Sequence, residues 1–190
     1  MKLDRILPFA KKLLENAVTS RDVVVDATVG NGHDTLFLAN LVGENGKVYG
    51  FDVQEDAIRT SRERLTQHGI ADRVTIFHAG HELLSNLIPV EQHGKISAAI
   101  FNLGYLPGSD KSIVTKPKTT ISAIEQLLEI MTPEGVIILV IYHGHDEGAL
   151  ERDALLSYCQ EIDQKKAHVL QYRFMNQQNN PPFIVAIEKR

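Results

Sequence analysis

The feature that most constrains this chain is an alternation of short apolar strands with helix-period segments, followed by two strands with no helix between them. Leu3, Ile6, Leu7, Ala10, Leu13, Leu14 and Ala17 recur at helical spacing, with Pro8 marking the expected start of the helix. Val23-Val24-Val25 then reads as a strand, 33–41 as a helix and 47–51 as a strand. A helix over 55–68, a strand over 74–78, a short helix over 82–87 and a strand over 96–101 follow. Residues 102–117 carry Gly, Pro, Ser, Lys and Asp without periodicity and read as a long loop. A helix over 120–131, a turn at Pro133-Glu134-Gly135, a strand over 136–141 and a helix over 147–162 come next. The chain closes with strands at 169–174 and 183–187, joined by a loop ending in Pro181-Pro182. Strands separated by crossover helices lie parallel, whereas two strands joined only by a loop pair antiparallel. The expectation is an α/β, Rossmann-like, doubly wound sheet of seven strands, the last pair antiparallel, in a single domain over 1–190.

A chain of 190 residues fits one such domain, and its apolar and charged fractions of 43% and 23% are ordinary. Its longest apolar run, 135–141, is far below the ~20 residues of a membrane span. The single cysteine, Cys159, excludes an intramolecular disulfide and a cysteine-based metal centre, and its helical setting predicts burial. Met1 is followed by Lys2, Asp4 and Arg5 rather than an apolar stretch, so a cytoplasmic protein is expected. Twenty cations against 24 acids give a net charge of −4. That disfavours sequence-blind binding of long nucleic acid but permits a local basic patch.

In a doubly wound sheet the ligand sits beyond the carboxyl ends of the strands. Strand one ends in Asp26-Ala27-Thr28-Val29-Gly30-Asn31-Gly32-His33-Asp34-Thr35. Two glycines there suit a tight turn into a helix N-terminus, although a plain strand-to-helix turn is the simpler alternative. Asp26 beside such a loop would repel a pyrophosphate and suits a ligand with a cationic amino group. Strand two ends in Asp52, followed by Gln54, and a carboxylate there can accept from two ribose hydroxyls; capping of the next helix is the alternative. Strand three leads to Gly80 and His81, and strand four to Asn102 and Tyr105.

Val-Val-Val-Asp-Ala-Thr-Val-Gly-Asn-Gly (23–32) and Tyr-Gly-Phe-Asp-Val-Gln (49–54) resemble motifs I and II of class I S-adenosylmethionine-dependent methyltransferases. His-Ala-Gly-His (78–81) and Phe-Asn-Leu-Gly-Tyr-Leu-Pro (101–107) stand at motifs III and IV. More narrowly, 102–111, Lys-Pro-Lys-Thr-Thr (116–120) and Tyr-His-Gly-His (142–145) are similar to the YtqB-like "putative rRNA methylase" family. The resemblance implies S-adenosylmethionine as cofactor and a cradle of Asp26, Thr28, Gly30, Asn31, Gly32, Asp34, Thr35, Asp52, Gln54, Gly80, His81 and Asn102. It also implies methylation of the aminomethyl nitrogen of 5-aminomethyl-2-thiouridine at the tRNA wobble position. Thr28 stands where methyltransferases usually carry glycine. Leu103-Gly104 replace the two prolines of enzymes that methylate base amines, so a planar base amine is not the expected acceptor.

Three candidates stand at the acceptor. The side-chain oxygen of Asn102 could hold the acceptor amine, or cap an Asx-turn. Tyr105 could wall the pocket, and His143 could take a proton from an ammonium acceptor. Tyr142 and His145 flank it, and no third ligand accompanies the two histidines, so no metal is expected. Lys111, Lys116 and Lys118 suit RNA phosphates, or a solvated loop. The expected partner is the anticodon region of tRNA, without a membrane; a homodimer is compatible with the sequence. The rival readings are an rRNA or small-molecule methyltransferase on the same fold, a nucleotide-dependent oxidoreductase and a non-catalytic RNA-binding module.

Overall fold

The computed structural model describes residues 2–104, 114–144 and 146–190. The strands are β1 (Val23–Asp26), β2 (Lys47–Asp52), β3 (Val74–His78), β4 (Ile96–Leu103), β5 (Met131–Ile141), β6 (Ala167–Tyr172) and β7 (Phe183–Lys189). The helices are α1 (Ile6–Ala17), α2 (His33–Val42), α3 (Glu55–Gln67), α4 (Leu84–Leu87), α5 (Pro117–Ile130) and α6 (Asp146–Glu161). They build one sheet of order β3-β2-β1-β4-β5-β7-β6. The first five strands are parallel; β7 is antiparallel to both β5 and β6. The strand order reverses between β1 and β4, which places the switch point there.

Both faces of the sheet are covered, which is why its central strands read as continuous apolar runs rather than as alternations. On β4, Ile96, Ala99, Phe101 and Leu103 face α4, α5 and α6, while Ala98 and Ile100 face α1, α2 and α3. On β5, Ile137, Leu139 and Ile141 face the first set of helices, while Ile138 and Val140 face the second. Cys159 is buried on α6, as its helical setting predicts.

Several boundaries differ from the sequence expectation by one to five residues, and three of the differences have a clear cause. Helix α1 begins at Ile6, so Pro8 occupies its first turn, where a missing N–H costs no intrahelical bond. The expected turn at 133–135 lies inside β5: Ile96 pairs Met131 and Ala98 pairs Val136, so residues 132–135 bulge outward opposite Ser97, with Glu134 at φ 63°. Strand β6 starts two residues early, because Ala167 enters the core opposite Lys189; Phe174 leaves the ladder and packs against Tyr172 instead.

Gly32 shows why the loop after β1 needs its second glycine. It has φ 75°, and a Cβ there would lie 2.7 Å from Ser61 Cβ and 2.9 Å from Ser61 Cα. The glycine thus lets α2 start directly against α3; the neighbour it admits is a helix. Gly32→Ala should cost roughly 2–4 kcal/mol, from overpacking plus left-handed strain. Urea unfolding should show this as a lower midpoint at unchanged slope.

Candidate functional site

The carboxyl ends of β1, β2 and β4 converge on the loop over 27–32. Asp26 closes β1 and is fully buried. One of its oxygens accepts from the Thr28 N–H (3.2 Å) and the other from the Thr35 hydroxyl (2.6 Å). Thr28 Oγ1 in turn accepts from the Asn102 N–H at 2.7 Å. One buried carboxylate therefore ties β1, the loop and α2, and through Thr28 the end of β4. Burial raises Asp26 from its usual 3.8 to about 7, and the charge of Asp34 adds to the rise, partly offset by the two hydrogen bonds. Asp26 and Thr35 are interior supports rather than open lining: Thr35 is fully buried too.

Asp52 holds the other side of the loop. Its Oδ2 accepts from the Gly30 N–H (2.8 Å) and its Oδ1 from the Gln54 N–H (2.9 Å). Each carboxylate oxygen can accept twice, so acceptor capacity is left for a pair of neighbouring hydroxyls. Arg64 on α3 donates to the Asn31 carbonyl at 2.7 Å and so fixes the loop from outside. His81 follows Gly80 after β3, is buried, and shares its Nδ1 with the Ala27 carbonyl at 3.1 Å. A carbonyl only accepts, so Nδ1 carries the proton and Nε2 presents a lone pair. That Nε2 is a buried polar atom without a hydrogen-bond partner. Burial lowers the His81 pKa and so favours the neutral ring, against the opposing pull of the Ala27 carbonyl.

At the switch point Asn102 donates from Nδ2 to Asp34 Oδ2 at 2.8 Å, which leaves its Oδ1 as an acceptor. Tyr142 joins this edge through its N–H, bound to the Leu103 carbonyl. Burial raises the Tyr142 phenol, and the charge of Asp34 adds to the effect. His143 is committed elsewhere. Its Nε2 pairs with the Pro181 carbonyl at 3.0 Å and its Nδ1 with the Arg152 guanidinium at 3.3 Å. Burial lowers its pKa and Arg152 lowers it further. A histidine whose lone pair already accepts from a guanidinium is a poor proton acceptor. The geometry makes His143 a brace between α6 and the β6–β7 loop.

Lys116 and Lys118 are exposed at the start of α5, next to the point where Thr115 N–H meets the Gly104 carbonyl. Tyr105, Lys111 and His145 lie outside the described residues. Among the described residues, no group of three or more His, Cys, Asp or Glu is placed to hold a metal.

Sequence reasoning missed Glu151. It is buried on α6 and accepts from the hydroxyls of Thr115 and Thr120. Thr115 Oγ1 also accepts from the Gly104 N–H at 3.0 Å. This carboxylate therefore pins the end of β4 two residues beyond Asn102. The signal was present: Glu151 shares the buried stripe of α6 with Leu155 and Cys159, at helical spacing.

The family model described as "Putative rRNA methylase" matches residues 48–188. The chain is 37% identical over 152 residues to the chloroplastic tRNA (mnm(5)s(2)U34)-methyltransferase of Arabidopsis thaliana. That match takes in 76% of this chain and 55% of the plant protein, so the chain spans about half the length of that relative. Among solved structures, a "putative rRNA-methylase" of Clostridium thermocellum superposes with TM-score 0.96 at 43% identity, over 100% of both chains. A "putative methyltransferase" of Streptococcus mutans in complex with SAH superposes with TM-score 0.89 at 39% identity, over 99% of each chain.

Two outcomes follow from the buried carboxylates. Folded Asp26 holds its proton more tightly than unfolded Asp26. Its contribution to stability is therefore full below about pH 4, falls as pH rises and is gone above about 7. Urea midpoints across pH 4.5–7.5 should lose this component in Asp26→Asn. Glu151→Ala strands two threonine hydroxyls and should cost about 2 kcal/mol in the same assay.

Proposed function

The chain belongs to the rRNA methylase family described above, and from that premise we propose that it transfers a methyl group from S-adenosylmethionine to RNA. The acceptor we propose is the aminomethyl nitrogen of 5-aminomethyl-2-thiouridine at the tRNA wobble position, in a cytoplasmic setting. The observation that carries the cofactor reading is the electrostatics of the cradle. Asp34 and Asp52 both lie close enough to Asp26 to raise its pKa. Asp34 and Asp52, the two incompletely buried carboxyl groups beside the glycine loop, repel a pyrophosphate, which speaks against a dinucleotide, and attract a ligand bearing sulfonium and ammonium charges. The remaining acceptor capacity of Asp52 fits ribose hydroxyls, and the unpartnered His81 Nε2 fits a ligand N–H or O–H donor.

S-adenosylmethionine, when bound, supplies a methyl group on a positively charged sulfur that leaves as a neutral thioether. The protein's share is then positioning and proton handling. An aliphatic ammonium has no lone pair, so it must give one proton to bulk water and react as the neutral amine before its nitrogen can attack. Asn102 Oδ1 is oriented by Asp34 and can accept an N–H of the amine, turning the nitrogen lone pair toward the methyl. Asp34 attracts the ammonium form to this edge, and Tyr142 closes it on the β5 side. The tRNA target is supported by the name of the plant relative and by the absence of the two prolines after Asn102.

Calorimetry should show Asp52→Ala binding S-adenosylmethionine about 10- to 100-fold more weakly, the loss of hydrogen bonds to a charged group. Methyl transfer to two tRNA preparations tests the substrate, one carrying the aminomethyl group and one lacking it. Transfer only to the first is expected. Equal methylation of both, or methylation of ribosomal RNA alone, would overturn the tRNA assignment. Tight NAD binding with none for S-adenosylmethionine would overturn the cofactor.

A further inference from the structure

The β6–β7 loop lies at the reaction edge of the sheet. Because β7 runs antiparallel, Phe183 pairs with Ile141 at the carboxyl end of β5, and Tyr172 pairs with Ile184. The loop between them is held at both ends. On the β6 side Tyr172 stacks on Phe9 at 4.0 Å, meets Phe174 edge-on at 5.9 Å and donates its hydroxyl to the Asp4 carbonyl at 2.9 Å. On the β7 side His143 donates to the Pro181 carbonyl at 3.0 Å and sets its ring edge-on to Phe183 at 5.4 Å. Between these clamps Asn176, Gln177, Gln178, Asn179 and Asn180 are all exposed, and Met175 is 88% exposed.

The charge of this hairpin departs from that of the whole. Residues 167–189 carry Arg173 and Lys189 against the single acid Glu188, and the loop itself holds Arg173 and no acid, in a chain of net charge −4. Arg173 stands at the mouth of the loop, close enough for its charge to be felt at His143.

We propose that the tip of the β6–β7 loop reads unpaired bases of the RNA next to the modified nucleotide. This rests on the reading that the chain methylates RNA. A carboxamide offers a donor and an acceptor side by side, which matches the edge of a base. Base edges are open to such contacts in single-stranded loops and not in the deep groove of an RNA helix. Met175 adds a polarizable apolar surface for the face of a base, and Arg173 a phosphate contact. A protein-docking patch would instead centre on aromatic and aliphatic side chains; here one methionine stands before five amides. Clamping at both ends limits the ordering cost of binding.

Fluorescence anisotropy with a labelled RNA stem–loop, and with the same strand annealed to its complement, tests this. The Gln177→Ala/Gln178→Ala double variant should bind the stem–loop about tenfold more weakly. Its affinity for the duplex, for S-adenosylhomocysteine and its melting temperature should match wild type. Arg173→Ala should weaken both RNAs and flatten the salt dependence by about 0.7 for the stem–loop. If the double variant binds the stem–loop as wild type does while wild type still methylates tRNA, the inference falls and the RNA reading stands. If wild type binds neither RNA and methylates none, both fall.

Discussion

Asp26 enters the interior where β1 parts from its two parallel neighbours, and the rest of the site is arranged around it. A carboxyl group without solvent must have its acceptors satisfied, and Thr28 and Thr35 do this from either side. Thr28 then accepts the Asn102 N–H. The loop, α2 and the end of β4 are thereby fixed relative to each other before any ligand arrives. The Thr28 hydroxyl is what makes the link to β4.

The same carboxyl group governs the charge of the site. Burial and the neighbouring Asp34 hold Asp26 near neutrality, which moderates the repulsion within the cluster. The strand ends remain acidic, while Lys116 and Lys118 at the start of α5 and Arg173 at the base of the hairpin loop are among the exposed cations. Acidic strand ends together with exposed cations suit a cationic cofactor next to a polyanionic substrate. This arrangement reconciles a proposed RNA substrate with a net charge of −4.

Much of this was legible before any coordinates. Seven strands and their order of appearance followed from apolar runs and the crossover rule, and the antiparallel last pair from the missing helix. Misplaced boundaries share a cause. The start of β6 and the bulge in β5 were decided by pairing partners, Lys189 for Ala167 and Val136 for Ala98, which local pattern does not contain. His143 was the largest change of role. Its place after β5 suggested a base, but its two nitrogens pair with Pro181, 38 residues on, and with Arg152 on the following helix, and local pattern shows neither contact.

The sequence by itself determined the architecture and which residues stand at the strand ends, because hydrophobic period and chain direction are local properties. It could place Asp26, Asp52 and Asn102 at the carboxyl ends of their strands for that reason. Only the tertiary structure decided what each does. Hydrogen-bond partners come from segments far apart in the chain, and burial is a property of the whole fold. That is why Asp26 and Thr35 became interior supports, why Gly32 answers to Ser61 of a neighbouring helix, and why Glu151 emerged as the anchor of β4.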